Sequence, residues 1–301
     1  MSSKACGRRN VLKWWATAVV ATAFAAGCGG ESEESETGLG SAPKVGDPGP
    51  IHVHGLGINP QDGALFIATH TGLFRAPKGE KRAKRVAGRY QDTMGFSVVG
   101  RNRFLGSGHP DGREGLPPFL GLVESRDAGE NWRPVSLQGK RDFHVLEASG
   151  SRIYGFGSDF ESREADLLVS DDGGRRWVRR PTPEGLVSLA IDLGDRDQVI
   201  VSGEKQMYES RDAGRSWRPV GDGDPAMVAW PVRERLFAVA NSGAVSRSSD
   251  GGREWQEVGQ VGGQPAAFES VTARELYVAL HDGKVKRSSD AGASWSVRSA
   301  P

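Results

Sequence analysis

The sequence is poor in cysteine, has no excess of either charge and contains no hydrophobic run long enough to cross a membrane. Two of its 301 residues are cysteines, so we expect no disulfide framework, no thiolate-bound zinc site and no catalytic cysteine. The 39 Lys and Arg residues balance 38 Asp and Glu residues without a basic block in the body of the chain, which argues against nucleic acid as a partner. Glycine is abundant, and 42 glycines without a collagen-like period indicate many tight turns.

The amino-terminal segment is typical of an export signal. Basic residues precede an apolar run over residues 14–27, which at about 14 residues is too short to span the roughly 30 Å hydrocarbon core of a bilayer as a helix. The run ends in Ala25-Ala26-Gly27-Cys28, small residues before a cysteine that resemble the lipobox of bacterial lipoproteins. The resemblance implies cleavage after residue 27, a lipid on Cys28 and anchoring at the outer face of the cytoplasmic membrane. The alternative is an ordinary signal peptide that contains a cysteine.

The residues around the apolar run add two expectations. Residues 8–13, Arg-Arg-Asn-Val-Leu-Lys, resemble the twin-arginine export motif, which implies export of an already folded chain; general secretory export is the alternative. Residues 28–50 are rich in Gly, Ser and Glu, which is typical of a solvated tether. The expected organisation is a signal peptide over 1–27, a lipidated tether over 28–50 and one folded domain over 51–301.

An eight-residue pattern, Ser-x-Asp-x-Gly-x-x-Trp, occurs five times in the folded region. The copies occupy residues 125–132, 170–177, 210–217, 248–255 and 288–295. A repeat of about 40 residues is typical of a solenoid, a propeller or another repeat array. The pattern resembles the Asp-box, or BNR, repeat of sialidases, some other glycoside hydrolases, sortilin-type receptors and photosystem assembly propellers. The resemblance covers residues 51–301.

Each copy of the repeat is predicted to form a hairpin turn between two strands. The aspartate would accept backbone N–H groups of the turn, the serine hydroxyl would fix its start, and the glycine would take a positive φ. The tryptophan would begin the next strand and bury its ring. We therefore interpret the five aspartates as structural rather than catalytic. They are Asp127, Asp172, Asp212, Asp250 and Asp290.

Short β-type runs divide residues 51–301 into six units of four strands, about 42 residues each. The first unit has a degenerate turn, with Arg82 where Trp is expected. The second unit has a longer insertion, residues 108–119, between its second and third strands. Four-stranded units arranged radially form a β-propeller, so we expect an all-β, six-bladed, monomeric propeller. Seven blades would need a unit that the sequence does not supply.

The histidines are predicted to gather at one face of the ring, opposite the repeat hairpins. The candidate metal ligands are His52, His54, His70, His109 and His144, with Met94; His281 falls at the same face. Two imidazoles two residues apart, as in His52 and His54, lie on one side of a strand and can reach one ion. A thioether ligand would favour copper, whereas a carboxylate such as Asp111 would favour zinc. The alternative is that the imidazoles make polar contacts at the mouth or act as acid or base.

Two classes of function stay open at this point. A rigid propeller on a lipid anchor suits a binding or assembly module for a metal ion, a peptide or a glycan. The alternative is a glycoside hydrolase acting on envelope or extracellular glycans, with two carboxylates across the scissile bond, for which Asp111 and Asp159 are the candidates. A sialidase is disfavoured because the sequence has no Arg-Ile-Pro segment, and the first unit opens with His52-Val53-His54 instead.

Overall fold

The computed structural model describes residue 47 and residues 49–183, 185–221 and 226–301. The predicted signal peptide over 1–27, the candidate lipidation residue Cys28 and the tether up to residue 46 lie outside the described residues. Within the described ranges every regular element is a β-strand, and no helix is long and apolar enough to cross a bilayer. Gly49, which the sequence assigns to the predicted tether, contacts the folded domain, since the Thr71 hydroxyl donates to the Gly49 carbonyl at 3.0 Å.

The described strands form six four-stranded antiparallel sheets, each a blade whose strands follow chain order from the axis outward. The first strands are β1 (Val53–Ile58), β5 (Asp92–Gly100), β9 (Arg141–Ser149), β13 (Ser188–Asp192), β17 (Ala226–Val232) and β21 (Pro265–Ser270). The second strands are β2 (Leu65–Thr69), β6 (Arg103–His109), β10 (Arg152–Asp159), β14 (Asp195–Ser202), β18 (Arg235–Ala240) and β22 (Leu276–Leu280). The third strands are β3 (Gly72–Ala76), β7 (Leu122–Ser125), β11 (Ala165–Ser170), β15 (Met207–Ser210), β19 (Ala244–Ser248) and β23 (Val285–Ser288). The outer strands are β4 (Lys84–Arg85), β8 (Arg133–Ser136), β12 (Val178–Arg180), β16 (Arg218–Pro219), β20 (Gln256–Gln260) and β24 (Ser296–Ser299).

The core lies between neighbouring blades. The second strand of blade 1, β2, is buried along its whole length because blades cover both of its faces, which is why its sequence is apolar without alternation. Blades 1 and 2 join through aromatic side chains in edge-to-face contact: the ring centroids of Phe66 and Phe104 are 4.7 Å apart, and those of Phe96 and Phe104 are 5.5 Å apart.

The ring closes where the chain ends. The last inner strand, β21, packs beside the first, β1. The Ala300 N–H and the Ser299 hydroxyl both donate to the Lys81 carbonyl, at 2.9 and 3.0 Å. The Arg298 guanidinium donates to the Ala76 carbonyl at 3.0 Å. The degenerate turn of blade 1 is therefore the turn that the last strand joins. The prediction of an all-β propeller with six blades is confirmed for the described residues, and no seventh blade is found among them.

The five repeat turns share one hydrogen-bond pattern. In each copy the serine hydroxyl donates to the aspartate Oδ1 at 2.7–3.0 Å and accepts the glycine N–H at 2.8–2.9 Å. The aspartate Oδ1 also accepts the backbone N–H four residues further on. The glycine has a φ of +76° to +93°. The tryptophans differ from the expectation: each precedes its outer strand and is half-buried rather than buried.

Ser210→Ala is expected to lower the free energy of unfolding by about 1–3 kcal/mol, because the buried Gly214 N–H loses its acceptor. Asp212→Ala should also destabilise the turn. Ser216→Ala is the matched control, since the hydroxyl of Ser216 bonds only the exposed side of Asp212, and its effect should be smaller. Urea unfolding of the three variants tests this order, and equal stability of Ser210→Ala and the parent chain would contradict it.

Candidate metal centre

The inner strands of blades 1, 2 and 3 carry a β-bulge at the same position. The unpaired residue is His54 in β1, Met94 in β5 and His144 in β9. A bulge turns a side chain away from its regular direction in the sheet. All three side chains line the mouth of the axial channel, at the face opposite the repeat turns.

A first group of three polar residues lies at this mouth and is called trio 1: His54, His70 and Asp92. His54 lies on β1, His70 directly follows β2, and Asp92 begins β5 of the next blade. The His70 Nδ1 is 2.8 Å from Asp92 Oδ2, and the His54 Nε2 is 3.6 Å from Asp92 Oδ1. One ligand atom from each residue lies within 4.8 Å of the other two, so trio 1 can hold a metal ion.

Trio 1 contains polar atoms that the protein itself leaves unsatisfied. The His54 Nε2 and the Asp92 Oδ1 are both buried, and neither atom has a hydrogen-bond partner among the described residues. A buried polar atom without a partner costs free energy, so its presence in a folded protein calls for an explanation. A bound cation would satisfy both atoms at once.

The electrostatics of trio 1 suit a cation. Burial lowers the pKa of His54 to about 4, with smaller contributions from the neighbouring imidazoles His70 and His144. The His54 ring is therefore neutral at pH 7 and keeps a free lone pair, which is the form that ligates metals. Burial also raises the pKa of Asp92, against the opposing effect of His70. A positive ion would offset the cost of ionising this buried carboxyl.

A second group lies on blades 2 and 3 and is called trio 2: His109, Asp142 and His144. The Asp142 Oδ2 is 3.3 Å from His109 Nε2 and 3.1 Å from His144 Nε2. Burial opposes ionisation of Asp142, but the bonds from His109 and His144 outweigh it and lower its pKa to about 2. The bond to Asp142 raises the pKa of His109 to about 9. His109 and Asp142 therefore form an ion pair at neutral pH.

The other sequence-predicted ligands lie around the two trios. His52 meets His70 edge-on, with ring centroids 6.3 Å apart. Met94 lines the channel mouth with His54 and His144 but belongs to neither trio. His281 lines a groove of about 530 Å³ between blades 6 and 1, together with His52 and His54.

The two candidate catalytic carboxylates are held in loops. Asp111 accepts the backbone N–H groups of Tyr90 and Arg113 and pairs with the Arg113 guanidinium, which holds its pKa well below the usual range. Asp159 accepts the Ser162 N–H at 2.9 Å, which lowers its pKa, and pairs with Arg141 at 3.1 Å.

Sequence reasoning missed both carboxylates at the centres of the trios. Asp92 and Asp142 each lie two residues before the bulged residue of their blade, the position that His52 occupies in blade 1. An alignment of the three inner strands on His54, Met94 and His144 would have shown that a polar residue, His52, Asp92 or Asp142, occupies this position in each strand.

Comparison with known proteins establishes the fold. No protein-family model matches the chain. Over 102 residues it is 29% identical to the dispase autolysis-inducing protein of Streptomyces mobaraensis, covering 33% of this chain and 26% of that protein. The chain thus spans about a quarter of the length of the curated relative it matches.

Three solved structures illustrate the similarity. A GH74 enzyme of Niastella koreensis has a TM-score of 0.57 at 13% identity, over 83% of this chain and 45% of that chain. A gluconolactonase of Xanthomonas campestris has a TM-score of 0.60 at 16% identity, over 76% of this chain and 83% of that chain. The Pan2 WD40 domain of Neurospora crassa has a TM-score of 0.52 at 13% identity, over 82% and 92%. At these identities the likeness defines a class by architecture alone: the chain is a β-propeller, here with a His/Asp cluster at one mouth of its channel.

Proposed function

We propose that this propeller is a metal-binding module whose trio 1, His54, His70 and Asp92, holds one divalent transition-metal ion. The observation that carries the proposal is that one ligand atom from each of the three residues lies within 4.8 Å of the other two. In addition, the His54 Nε2 and the Asp92 Oδ1 are buried without a hydrogen-bond partner among the described residues. The neutral state of His54 supports it, because the ring need not lose a proton to bind the ion.

The donor set favours zinc. Two imidazole nitrogens and one carboxylate oxygen are ligands that Zn²⁺ takes in tetrahedral sites, where three protein ligands leave a fourth position for water or another ligand. A peptide or a glycan with a suitable donor group is the partner we propose for that position. Met94 lies at the same mouth, so Cu²⁺ and Cu⁺ are the competing ions to be tested beside zinc.

The hydrolase hypothesis is less well supported, because the surroundings of its two candidate carboxylates, Asp111 and Asp159, do not suit an acid. A general acid in a glycosidase needs a raised pKa. Arg113 holds the pKa of Asp111 low, and the Ser162 N–H does the same for Asp159. Both carboxylates are therefore ionised at neutral pH, which suits loop structure better than proton donation.

His70→Ala is expected to weaken zinc binding by more than about 100-fold, because it removes one of three direct ligands, and the loss of an outer-shell partner alone costs about 10- to 100-fold. Its side chain is 62% exposed, so the fold should tolerate the change. The measurement is calorimetric zinc titration of the full-length chain, purified in detergent without a histidine tag. His281→Ala is the control, because His281 lies in the neighbouring groove and outside both trios. No zinc binding by the parent chain, or equal affinity of His70→Ala, would reject the proposal.

We further propose that a lipid on Cys28 anchors the propeller at the outer face of the cytoplasmic membrane. The small residues before Cys28 support this, as does the polar segment that would separate the propeller from the bilayer. Cys28→Ser is expected to move the protein from the membrane fraction to the soluble fraction, whereas Cys6→Ser should leave it in the membrane fraction. Immunoblots of fractionated cells measure both, and membrane retention of Cys28→Ser would refute the anchor.

A further inference from the structure

The turn of blade 1 that lacks the Asp-box repeat carries an excess of basic residues. In every blade, eight residues run from the end of the third strand to the first residue of the outer strand. In blade 1 these are residues 77–84, with four basic residues and one acidic residue. In the other five blades the largest excess is two, over residues 211–218, with three basic residues against one acidic. The four basic residues of blade 1 are called the basic strip: Lys78, Lys81, Arg82 and Lys84.

The basic strip is exposed and has no ion-pair partner. All four of its residues are exposed. None of them forms an ion pair among the described residues, whereas the neighbouring Arg75 and Arg85 do. Lys78 lies near the Glu275 carboxylate, but Tyr277 and Arg287 bond that group. The charge of the strip is therefore available to a partner outside the domain.

The basic excess of blade 4, over residues 211–218, is balanced within the fold. Arg211 and Arg218 both pair with the Glu209 carboxylate on strand β15. Arg215 donates to the Asp212 carbonyl at 2.8 Å. The turn of blade 1 has no repeat aspartate and no such acidic neighbour on its third strand, so its positive charge is not offset in this way.

The chain end fixes the backbone that carries the strip. The Ala300 N–H and the Ser299 hydroxyl donate to the Lys81 carbonyl, and the Arg298 guanidinium donates to the Glu80 carbonyl. These bonds stand where the other five turns have the internal bonds of the repeat. The strip is therefore a fixed part of the outer edge of blade 1.

The chain also approaches the propeller from the proposed anchor at this edge. Asp47 pairs with Arg85, the residue that follows Lys84 on strand β4. Cys28 precedes Asp47 by 19 residues, which span at most about 65 Å even when fully extended. A lipid on Cys28 would therefore confine this edge to the region next to the bilayer. Lys and Arg side chains bind phosphate groups there, and each one strengthens binding to an anionic surface by about fivefold.

We propose that the basic strip docks the outer edge of blade 1 on a surface of anionic phospholipid. The inference rests on the lipid anchor proposed for Cys28 and adds an orientation to it. The outer strand is the strand of a blade furthest from the propeller axis, so contact there leaves both ends of the axial channel clear of the bilayer. Trio 1, at one mouth of the channel, then stays open to ligands from the solvent.

The test is the reactivity of lysine side chains in the full-length chain bound to vesicles. A water-soluble acetylating reagent labels the exposed amines, and mass spectrometry follows each lysine on vesicles of phosphatidylcholine alone or mixed with phosphatidylglycerol. We expect Lys81 and Lys84 to react about fivefold more slowly or less on the anionic vesicles. In 1 M salt, where the Debye length is about 3 Å, the difference should vanish. Lys140, which is exposed between blades 2 and 3, should react equally on both.

A double variant tests whether the strip itself causes the protection. Arg82→Gln with Lys84→Gln removes two charges without changing the backbone bonds of the turn. Lys81 should then react on anionic vesicles nearly as fast as on phosphatidylcholine. Arg133→Gln is the matched control, because Arg133 is an exposed residue at the start of the outer strand of blade 2. It should leave the protection of Lys81 unchanged.

The other outcomes separate this inference from the anchor. Equal, fast reaction of Lys81 on both kinds of vesicle rejects the docking and leaves the anchor standing. Equal, slow reaction on both means that acidic residues of the chain itself, such as those over 31–36, cover the strip, and also rejects it. A chain that does not sediment with phosphatidylcholine vesicles has no anchor. In that case, failure to sediment with the phosphatidylglycerol vesicles rejects the docking as well, whereas sedimentation that the double variant loses supports it.

Discussion

Gly108→Ala is expected to weaken zinc binding at trio 1 by about 100-fold and to destabilise the protein by about 3 kcal/mol. Gly108, the next-to-last residue of β6, has a φ of +135°, which an L side chain rarely adopts. A Cβ here would lie 2.1 Å from the Asp92 carbonyl oxygen and 3.0 Å from the Met94 nitrogen. The start of β5 would have to move, and the Asp92 carboxylate would move with it. Zinc titration and urea unfolding measure the two effects.

Two further glycine variants are controls that test whether the effect of Gly108→Ala on zinc binding depends on its contact with Asp92. Gly112→Ala lies in the same insertion, has no heavy atom within 4 Å of the added Cβ and has no positive φ, so it should change neither quantity. Gly157→Ala would place a Cβ 1.8 Å from the Asp142 carbonyl oxygen and should disturb trio 2 instead. Parent-like zinc affinity and stability of Gly108→Ala would show that the bulge in β5 does not position Asp92.

The fold was predictable because its signal is local and repeated. Five hairpins with a fixed Ser, Asp, Gly and Trp mark one turn of each of five blades, and the polar bonds that hold the turn lie within five residues of sequence. Blade 1 could be found only by its strand pattern, because its turn lacks the repeat and is held by contacts with the chain end. Those contacts join Arg298 and Ala300 to residues more than 200 positions earlier, and no sequence pattern predicts them.

The site was only half predictable. Strand order places residues at one end of the propeller, so the histidines could be assigned to one mouth from the order of strands and turns alone. Which of them meet depends on the bulges at His54 and His144 and on the packing of adjacent inner strands. Asp92 is the first residue of β5, and Asp142 is the second residue of β9. An aspartate at the start of a strand is typical of a solvated turn, so neither residue was predicted to lie in the site. Burial, which the sequence does not display, makes them the centres of the two trios.

A pair of carboxylates inside the axial channel carries the last prediction. The axial channel contains two adjoining cavities, one at the mouth that His54 and His144 line and a second one further inside. Glu147 on β9 and Glu269 on β21 line both cavities. The described residues that line them include no Lys or Arg. The other titratable residues that line these cavities are His54 and His144, both at the mouth of the channel. Burial raises the pKa of Glu269, and burial together with the negative charge of Glu269 raises the pKa of Glu147.

These raised pKa values make the protein less stable as the pH rises. The folded state binds protons at these carboxyls more tightly than the unfolded state, so stability falls as the pH rises from about the ordinary Glu value of 4.5 through the raised values. Glu269→Gln mimics the protonated acid and removes one charge of the pair. We therefore expect this variant to exceed the parent chain in unfolding free energy by about 2 kcal/mol at pH 8 and to match it near pH 4.5.

Glu275→Gln provides the control with the opposite sign. Glu275 lies on the same blade, but the bonds from Tyr277 and Arg287 outweigh the effect of burial and lower its pKa. Its ionised form therefore stabilises the fold, and Glu275→Gln should lose stability at pH 8, where Glu269→Gln gains it. Urea unfolding of both variants at pH 4.5, 6 and 8 separates the two effects. A Glu269→Gln variant no more stable than the parent chain at pH 8 would mean that water or a bound cation in the channel already neutralises the pair.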